Sequence, residues 1–216
     1  MTKRTIFYAT RSPYKNEELT VIADFDFKDR FGANRRIGDL IDFRVSDIAT
    51  EEPLEIDLEE MVRHKARSAY KKILAPCIVE HAGLILEKNS DKGFPGGLTQ
   101  PMWDALGADG FLERIGCGGE RAIAKAVVGY CDGMQTYAFV GETTGVLTKK
   151  PIGGRGFYWD VIFCPDEAGG NVTYAQICDK ADGLRTKLTM SQSTKAIKEF
   201  ATFLSTQNGS ALFSLA

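Results

Sequence analysis

The segment from Asp57 to Ile73 carries the strongest folding signal in this sequence, because its apolar residues recur at helical spacing. The residues on this apolar face are Leu58, Met61, Val62, Ala66, Ala69, Tyr70 and Ile73. Their intervals of three and four predict an amphipathic α-helix with one buried face. Lys65 lies near the edge of that face, whereas His64 is expected to be an exposed helix residue.

Short β-prone runs on both sides of this helix predict the fold class. The predicted strands cover residues 5–9, 40–45, 77–79, 122–130, 135–142 and 161–165. Asp132-Gly133 lies between two of them and is a hairpin signal. Further helices are predicted from Pro13, over residues 101–115 and up to Leu204. Helices, buried strands and one hairpin together predict an α/β protein with a mixed sheet.

Composition limits the kinds of partner. The chain has 216 residues, an apolar fraction of 44% and a net charge of −2 with well-mixed signs. The apolar fraction is sufficient for a sizeable core, and the charge argues against a general nucleic-acid surface, which needs a basic excess. The polar segment 24–39, which contains Arg30, Arg35 and Arg36, is interpreted as a solvated loop.

The five cysteines and the N-terminus predict a cytoplasmic protein that does not bind a membrane. The cysteines are scattered and form no CxxC pair, so we interpret them as buried thiols in a reducing compartment. The N-terminus is basic but lacks the long apolar region of a signal peptide. No apolar run approaches the ~20 residues of a membrane span.

The turn from Thr10 to Lys15 is a candidate anion site. Ser12 is predicted to cap a helix that has Pro13 at its first position. Free backbone N–H groups at a helix start attract anions, and Lys15 is positioned to reach a phosphate there. The alternative is an ordinary capped helix with a solvated lysine.

Glu80 and His81 follow the predicted strand 77–79. Polar residues at the end of a buried strand are where α/β folds place their chemistry, so the pair is a candidate metal ligand and base. Adjacent strand residues point to opposite faces, so at most one of the two needs to face a pocket. The alternative is that both lie on a loop.

The stretch from Gly153 to Asp160 combines three glycines with three consecutive aromatic residues. Glycines allow a backbone to approach a ligand closely, and an aromatic side chain offers a flat surface for a planar ring. Asp160 precedes the predicted strand 161–165 and is a candidate acceptor for a base edge. The alternative is a glycine-rich loop that enters a core strand, with the aromatic residues as packing.

Four stretches, in order, resemble motifs of the inosine triphosphate pyrophosphatase family, which removes non-standard purine nucleotides. The motif T-G-N-x-x-K corresponds to Thr10–Lys15, E/D-D-[ST]-G-L to Glu80–Leu84, and G-x-P-G to Gly93–Gly96. The motif F-G-[WY]-D-P-x-F corresponds to Phe157–Phe163. The terminal K-N-x-x-S-H-R is reduced to Lys187–Ser193. The resemblance covers about residues 5 to 204.

The resemblance implies a long, twisted mixed β-sheet flanked by helices, with two lobes around a central cleft. It implies a single domain over residues 1–204, followed by a C-terminal tail over 205–216. Members of the family are usually homodimers. They bind ITP, dITP or XTP with Mg²⁺ and release pyrophosphate.

The same resemblance assigns roles to individual residues. It implies that Lys15, Lys65 and Lys187 hold the triphosphate, at a site that also includes Thr10 and Ser12. Phe157 would stack on the purine, and Trp159 and Asp160 would shape the base pocket. Glu80, with Glu51 or Glu52, would supply the acids for magnesium.

Two departures from the motifs put catalysis in question. His81 replaces an acid that helps to hold the metal and to activate water, and magnesium prefers oxygen ligands over imidazole. Loss of a general base lowers a rate roughly 10²–10⁴-fold, although His81 can itself act as a base near neutral pH. Gln192 and Ser193 replace the pair that reads the purine O6, and the Gln192 amide still donates a hydrogen bond.

The sequence therefore supports three hypotheses. The first is a catalytically impaired sensor that binds dITP or ITP and signals to a partner. Relatives of this kind occur in bacterial antiphage operons beside a sirtuin-like NAD-consuming effector, and the chain resembles the nucleotide-sensing subunit of the Kongming antiphage defence system. The second is an active nucleoside triphosphate pyrophosphatase with a rearranged metal site. The third is a protein of this fold with a different ligand or a structural role.

Overall fold

A computed structural model describes residues 3–115 and 118–207, which form a mixed sheet flanked by helices. The strands are β1 (Arg4–Ala9), β2 (Asp26–Lys28), β3 (Asn34–Arg36), β4 (Ile41–Ser46), β5 (Cys77–Leu86), β6 (Arg121–Cys131), β7 (Thr136–Leu147) and β8 (Phe163–Pro165). The helices are α1 (Pro13–Ile22), α2 (Ile37–Leu40), α3 (Leu58–Ile73), α4 (Thr99–Ile115), α5 (Tyr174–Cys178), α6 (Gly183–Met190) and α7 (Gln192–Thr206). The α/β prediction is confirmed.

Six strands form the main sheet in the order β4-β1-β5-β6-β7-β8. Strand β1 is parallel to both β4 and β5, and the remaining neighbours pair antiparallel. The predicted hairpin is β6–β7, and its turn is held by the Asp132 carboxylate, which accepts from the N–H groups of Met134 and Gln135 at 2.8 and 2.7 Å. The separate hairpin β2–β3 lies in the segment interpreted as a loop, where Arg35 pairs with Asp29 at 2.7 Å.

The two faces of β5 pack against different helices. Ile78 belongs to a core that includes residues of α7, whereas Cys77 and Val79 belong to a core built on α3. The predicted apolar face of α3 is buried there, as expected from its spacing. Because the alternation continues along the strand, Glu80 faces the α7 side and His81 faces the α3 side.

The expectation that β5 ends near Val79 was wrong. The strand runs for ten residues to Leu86 and pairs with β6 along its whole length. Glu80 and His81 therefore lie in the middle of a buried strand, not at its end and not on a loop. The hydrogen-bond ladder with β6 carries the strand through these polar residues, which interrupt the apolar pattern from which its end was predicted.

The predicted strand over 161–165 was also too long. Residues Tyr158–Val161 form a 3₁₀ helix, and β8 begins only at Phe163. The 3₁₀ helix includes Val161, and the next residue, Ile162, has φ −124° and ψ −9°, outside the β region. Asp160 thus lies within a tight turn. Helices α5 and α6 lie between β8 and α7, where the sequence analysis predicted no separate element.

A glycine on β7 lets α7 reach the sheet. A Cβ at Gly141 would collide with the carbonyl oxygen of Gln192 and the amide nitrogen of Ala196. The missing side chain allows the first turn of α7, capped by the Ser191 hydroxyl, to lie directly on the sheet. This contact brings Gln192 and Ser193 into the protein interior.

Some predictions concern residues that the structure describes only in part. Cys77, Cys131 and Cys164 are buried and Cys178 is partly buried, whereas Cys117 and residues 208–216 lie outside the described residues. Helix α7 extends two residues past its predicted end. Within residues 3–115 and 118–207, no helix combines the length and apolarity that a membrane crossing requires.

Candidate nucleotide site

Two lysines from different helices converge on one carbonyl oxygen in the middle of β5. The Nζ atoms of Lys15 and Lys65 donate to the carbonyl oxygen of Glu80 at 2.9 and 3.2 Å. Lys65 also pairs with Glu52 at 2.7 Å. Burial lowers the pKa of Lys65, and the nearby Lys15 charge lowers it further, whereas Glu52 raises it. Two such cations side by side form a local concentration of positive charge.

The turn that delivers Lys15 has the predicted capped geometry. The Ser12 hydroxyl accepts from the Lys15 N–H at 3.4 Å, and Pro13 stands at the start of α1. The Thr10 hydroxyl accepts from the Ser12 N–H at 3.1 Å. Thr10 and Ser12 therefore fix the turn, and their contact with a ligand stays a prediction.

The Glu80 carboxylate is buried on the α7 face. It accepts from the Tyr8 hydroxyl at 2.9 Å and from the Ser193 hydroxyl at 2.8 Å, and Lys15 Nζ lies 3.9 Å away. Burial opposes ionisation, but the Lys15 charge and the two hydrogen bonds outweigh it and lower the pKa of Glu80. The group is a fully partnered carboxylate that helps to hold Lys15.

His81 points to the opposite face, towards Glu52. Its Nδ1 lies 3.4 Å from Glu52 Oε2, and its buried Nε2 has no hydrogen-bond partner in the described part of the chain. Burial lowers the pKa of His81, and the charges of Lys65 and Lys15 lower it further, whereas the hydrogen bond that His81 donates to Glu52 raises it. A neutral imidazole whose Nδ1–H faces a carboxylate keeps a lone pair on Nε2, as a general base or metal ligand requires.

The acids expected to bind magnesium do not converge. Glu52 lies beside His81, Glu80 lies on the other face of β5, and the Glu51 side chain is exposed while its N–H donates to the Ser68 hydroxyl. Across residues 3–115 and 118–207, no three His, Cys, Asp or Glu side chains are grouped to hold a metal ion. Protein-bound magnesium often uses one or two carboxylates with substrate phosphates and water. These residues fit an ion delivered with a polyphosphate, with Glu52 as its protein ligand, but not an ion held by the protein alone.

Lys187 belongs to a second cluster. Its Nζ donates to Asp160 Oδ2 at 2.6 Å and to Glu18 Oε1 at 2.8 Å, and all three side chains are buried. Burial alone would lower the pKa of Lys187, but the two carboxylates raise it well above its usual range. Burial raises the pKa of Asp160 to about 6. The Glu18 charge also raises it, whereas the Lys187 charge lowers it.

Arg155 completes this second cluster from the glycine-rich stretch. Its Nη1 donates to Glu17 Oε2 at 3.0 Å. Its Nη2 lies 3.6 Å from Glu18 and its Nε lies 3.9 Å from Asp160. We call Glu17, Glu18, Arg155, Asp160 and Lys187 the arginine cluster. We call Lys15, Glu52, Lys65, Glu80 and His81 the histidine cluster.

The aromatic residues of the glycine-rich stretch have different environments. Phe157 stacks on Tyr14 with ring centroids 4.7 Å apart, and Lys187 Nζ lies 5.2 Å from the Phe157 centroid. Trp159 is buried and packs edge-on against Phe163 at 5.7 Å. Phe157 therefore borders the arginine cluster, whereas Trp159 is part of the core.

The start of α7 contacts the histidine cluster directly and reaches the arginine cluster through Tyr174. Ser193 donates to Glu80, as described above, and the Gln192 side-chain oxygen accepts from the Tyr174 hydroxyl at 3.2 Å. The Tyr174 ring lies 5.3 Å from Lys187 Nζ. The two clusters are thus linked through one helical turn.

Sequence reasoning missed several residues of the site, Glu17 of the arginine cluster among them. Glu18 follows Lys15 by one helical turn, so its position on the same face of α1 was a readable signal. Arg155 lies inside the glycine-rich stretch. Tyr8 and Tyr14 carry no motif, and only the tertiary contacts with Glu80 and Phe157 reveal them.

Comparisons with known proteins identify the family. A sequence profile of the Ham1 family matches residues 6–203, and the chain belongs to this family. The dITP/XTP pyrophosphatase of Methanopyrus kandleri is 35% identical over 146 residues, which cover 67% of this chain and 73% of the relative. The dITP/XTP pyrophosphatase of Pyrobaculum aerophilum is 27% identical over 202 residues, which cover 93% and 96%.

Solved structures agree in fold. A HAM1 protein from Coxiella burnetii has a TM-score of 0.65 and 19% identity, and the match covers 93% of this chain and 98% of that one. The Staphylococcus aureus Ham1 protein has a TM-score of 0.59 and 21% identity over the same shares. These likenesses confirm the predicted α/β fold with a mixed sheet flanked by helices.

Proposed function

We propose that this chain binds non-standard purine nucleoside triphosphates of the dITP, ITP and XTP class and acts as a catalytically impaired sensor of them. Membership of a family whose relatives are named dITP/XTP pyrophosphatases supports the ligand class. The two converging lysines support the binding of a polyphosphate. The remaining question is how much hydrolysis the histidine cluster allows.

The observation that carries the proposal is the imbalance around Lys15 and Lys65. Both ammonium groups lie on one carbonyl oxygen, where a triphosphate would gain two charge-assisted hydrogen bonds. On the His81 side of β5, Glu52 is the acid in contact with the cluster, and Lys65 already binds it at 2.7 Å. The cluster thus retains two cations for binding, whereas its two acids are already engaged, Glu52 by Lys65 and Glu80 by the hydroxyls of Tyr8 and Ser193.

The chain's own residues suggest how the nucleotide would lie. Lys15 and Lys65 would hold the phosphates, and Thr10 and Ser12 would keep the turn that carries Lys15. Magnesium would arrive with the nucleotide and neutralise part of its charge. Phe157 would stack on the base beside the arginine cluster. Lys187 lies next to that ring, but its ammonium group is already bound by two carboxylates.

The alternative function is an active nucleoside triphosphate pyrophosphatase. The unpartnered Nε2 of a neutral His81, oriented by Glu52, favours this alternative because such a nitrogen can take a proton from water. In that case His81 would replace a carboxylate as the base. The relatives named as pyrophosphatases support the same alternative.

The sensor proposal extends to partners and biological role. A sensor needs a second protein that responds, and the resemblance to nucleotide-sensing subunits suggests a sirtuin-like NAD-consuming effector in antiphage defence. The same resemblance suggests a homodimer. Loss of NAD from a mixture of the two proteins only when dITP is added would support this extension, and NAD loss that ignores dITP would contradict it.

The decisive experiment measures binding and turnover together. The protein is incubated with dITP and Mg²⁺, and binding is followed by calorimetry while pyrophosphate release is assayed. Binding with negligible release, and a gain of release in His81→Asp, supports the sensor. Release by the unaltered protein at about 1–10³ per second supports the enzyme, and no binding overturns both.

A further inference from the structure

Ser193 and Lys15 approach the same oxygen of the Glu80 carboxylate. The Ser193 hydroxyl donates to Oε1 at 2.8 Å, whereas Lys15 Nζ stops 3.9 Å from that atom and donates instead to the Glu80 carbonyl oxygen at 2.9 Å. The second carboxylate oxygen, Oε2, accepts from the Tyr8 hydroxyl at 2.9 Å. Each carboxylate oxygen thus has a hydroxyl donor, and Lys15 is left at the distance of a loose ion pair.

The first turn of α7 fixes the position of the serine. Ser193 is 5% exposed, and the Ser191 hydroxyl caps the helix just before it by accepting from the Thr194 N–H at 3.2 Å. The close contact at Gly141 seats this turn on the sheet. In the described part of the chain, Glu80 is the one hydrogen-bond partner of the Ser193 hydroxyl. Because a buried hydroxyl without a partner costs free energy, the serine is held to this carboxylate oxygen.

Lys15 carries the less compensated charge of the two lysines at the Glu80 carbonyl. Lys65 already pairs with Glu52 at 2.7 Å, and its side chain is 10% exposed. The Lys15 side chain is 16% exposed, and its ion pair with Glu80 is the longer one at 3.9 Å. Direct hydrogen bonds between an ammonium and a carboxylate are among the stronger ones in proteins. The distance from Lys15 to Oε1 therefore sets how readily Lys15 turns to an anion from outside.

We infer that Ser193 is a positioning residue that keeps Lys15 available to the phosphates by occupying Oε1 of Glu80, an inference that rests on the proposed nucleotide-binding function. Without the hydroxyl, Oε1 is a buried anionic acceptor that lacks its donor, and Lys15 is the nearest cation. Lys15 then closes onto the carboxylate and must leave it again before it binds a phosphate. This role differs from reading the purine O6, which the resemblance implied for the Ser193 position.

The test measures binding of the α,β-imido analogue of dITP, whose α–β bridge resists hydrolysis, by calorimetry with Mg²⁺. Affinity should fall by roughly 3- to 10-fold in Ser193→Ala, since Lys15 has to give up a new hydrogen bond before it binds the phosphates. Alanine is a good helix former, so the variant should keep α7. Ser205→Ala is the control, because it removes another buried hydroxyl of α7, which donates to the Thr202 carbonyl oxygen at 2.7 Å.

A second background separates positioning from base reading. In Glu80→Gln, no carboxylate remains to capture Lys15, so the added change Ser193→Ala should alter affinity by less than about twofold. A serine that reads the base, or one that only stabilises α7, would cause the full loss in this background too, and that result would overturn the inference. An unchanged affinity in Ser193→Ala, or an equal loss in Ser205→Ala, would also overturn it. An unaltered protein that does not bind the analogue would instead overturn the proposed function, and the inference with it.

Discussion

The histidine and arginine clusters both combine lysines with acids, but their lysines differ in how fully the acids compensate their charge. In the histidine cluster, Lys15 donates to a neutral backbone carbonyl and lies 3.9 Å from the Glu80 carboxylate, so its charge is less compensated than that of Lys65, which pairs with Glu52 at 2.7 Å. In the arginine cluster, Lys187 is held between the carboxylates of Asp160 and Glu18 at 2.6 and 2.8 Å. A lysine in a binding motif is therefore not by itself evidence of an available cation.

The electrostatic consequences differ in the same way. Lys65 has a lowered pKa because it is buried beside another lysine, whereas Lys187 has a raised pKa because, against burial, two acids stabilise its charge. A site with crowded cations gains free energy when a polyanion binds. A site whose cation is already compensated contributes mainly to the stability of the fold. Three predictions test this distinction, beginning with the largest effect.

Removal of Lys187 should destabilise the protein strongly. Lys187→Met leaves Asp160 and Glu18 buried without their shared cation, and breaking a buried ion pair in this way costs about 3–5 kcal/mol. Lys195→Met is the control, because Lys195 pairs with Glu167 at 2.7 Å near the surface and should cost less than ~1 kcal/mol. Denaturant unfolding measures both, and equal effects would break the distinction between the clusters.

Removal of Lys15 should affect binding more than stability. In Lys15→Met, affinity for dITP should fall roughly 10- to 100-fold, since a hydrogen bond to a charged group contributes about 1.5–3 kcal/mol. The control is Lys88→Met, because Lys88 also binds a carbonyl oxygen (Ile115, 2.9 Å) and a glutamate (Glu120, 2.8 Å). Calorimetry on both variants gives the comparison. An unchanged affinity in Lys15→Met would show that this cluster does not hold the phosphates.

The smallest effect concerns pH. Burial lowers the pKa of His81 in the folded protein. At pH values below the ordinary histidine pKa near 6.5, His81 is therefore protonated in the unfolded chain but still neutral in the folded one. Stability of the nucleotide-free protein should therefore fall as pH drops below about 6.5, until the pH reaches the folded-state pKa. His81→Asn should reduce this fall in a thermal unfolding series.

The chain supplies a matched control for the pH series, because its only other histidine, His64, is exposed on α3. His64→Asn should leave the pH dependence as it is. The same dependence in both variants would mean that His81 titrates normally and is not held neutral beside Glu52.

Much of the local structure followed from local patterns. The spacing of apolar residues predicted α3, the Asp-Gly pair predicted the β6–β7 hairpin, and Ser12 with Pro13 predicted the start of α1. These predictions succeeded because the interactions that decide them lie within a few residues of one another. The end of β5 was wrong because its polar residues are held by pairing with β6, which is distant in sequence.

The candidate site was predictable only as a set of residue types. Lys15, Lys65, His81 and Phe157 were identified from the sequence, but their partners were not. Glu52 and Glu51 looked alike as neighbours in an acidic loop, and only the packing of that loop against α3 brings Glu52 to Lys65 and His81. Two adjacent residues with the same side chain thus have different environments.

The sequence by itself determined the elements with strong local patterns, such as α3, the start of α1 and the β6–β7 hairpin, and which cations the chain carries near its motifs. The tertiary structure decided which acid meets which cation. Lys187 is separated by 169 residues from Glu18 and by 27 from Asp160, yet it hydrogen-bonds to both. Such contacts depend on strand order, on the register of β5 and on the docking of α7 against Gly141. No local pattern encodes them, because an ion pair forms only where the packed chain brings its charges within a few ångströms of each other.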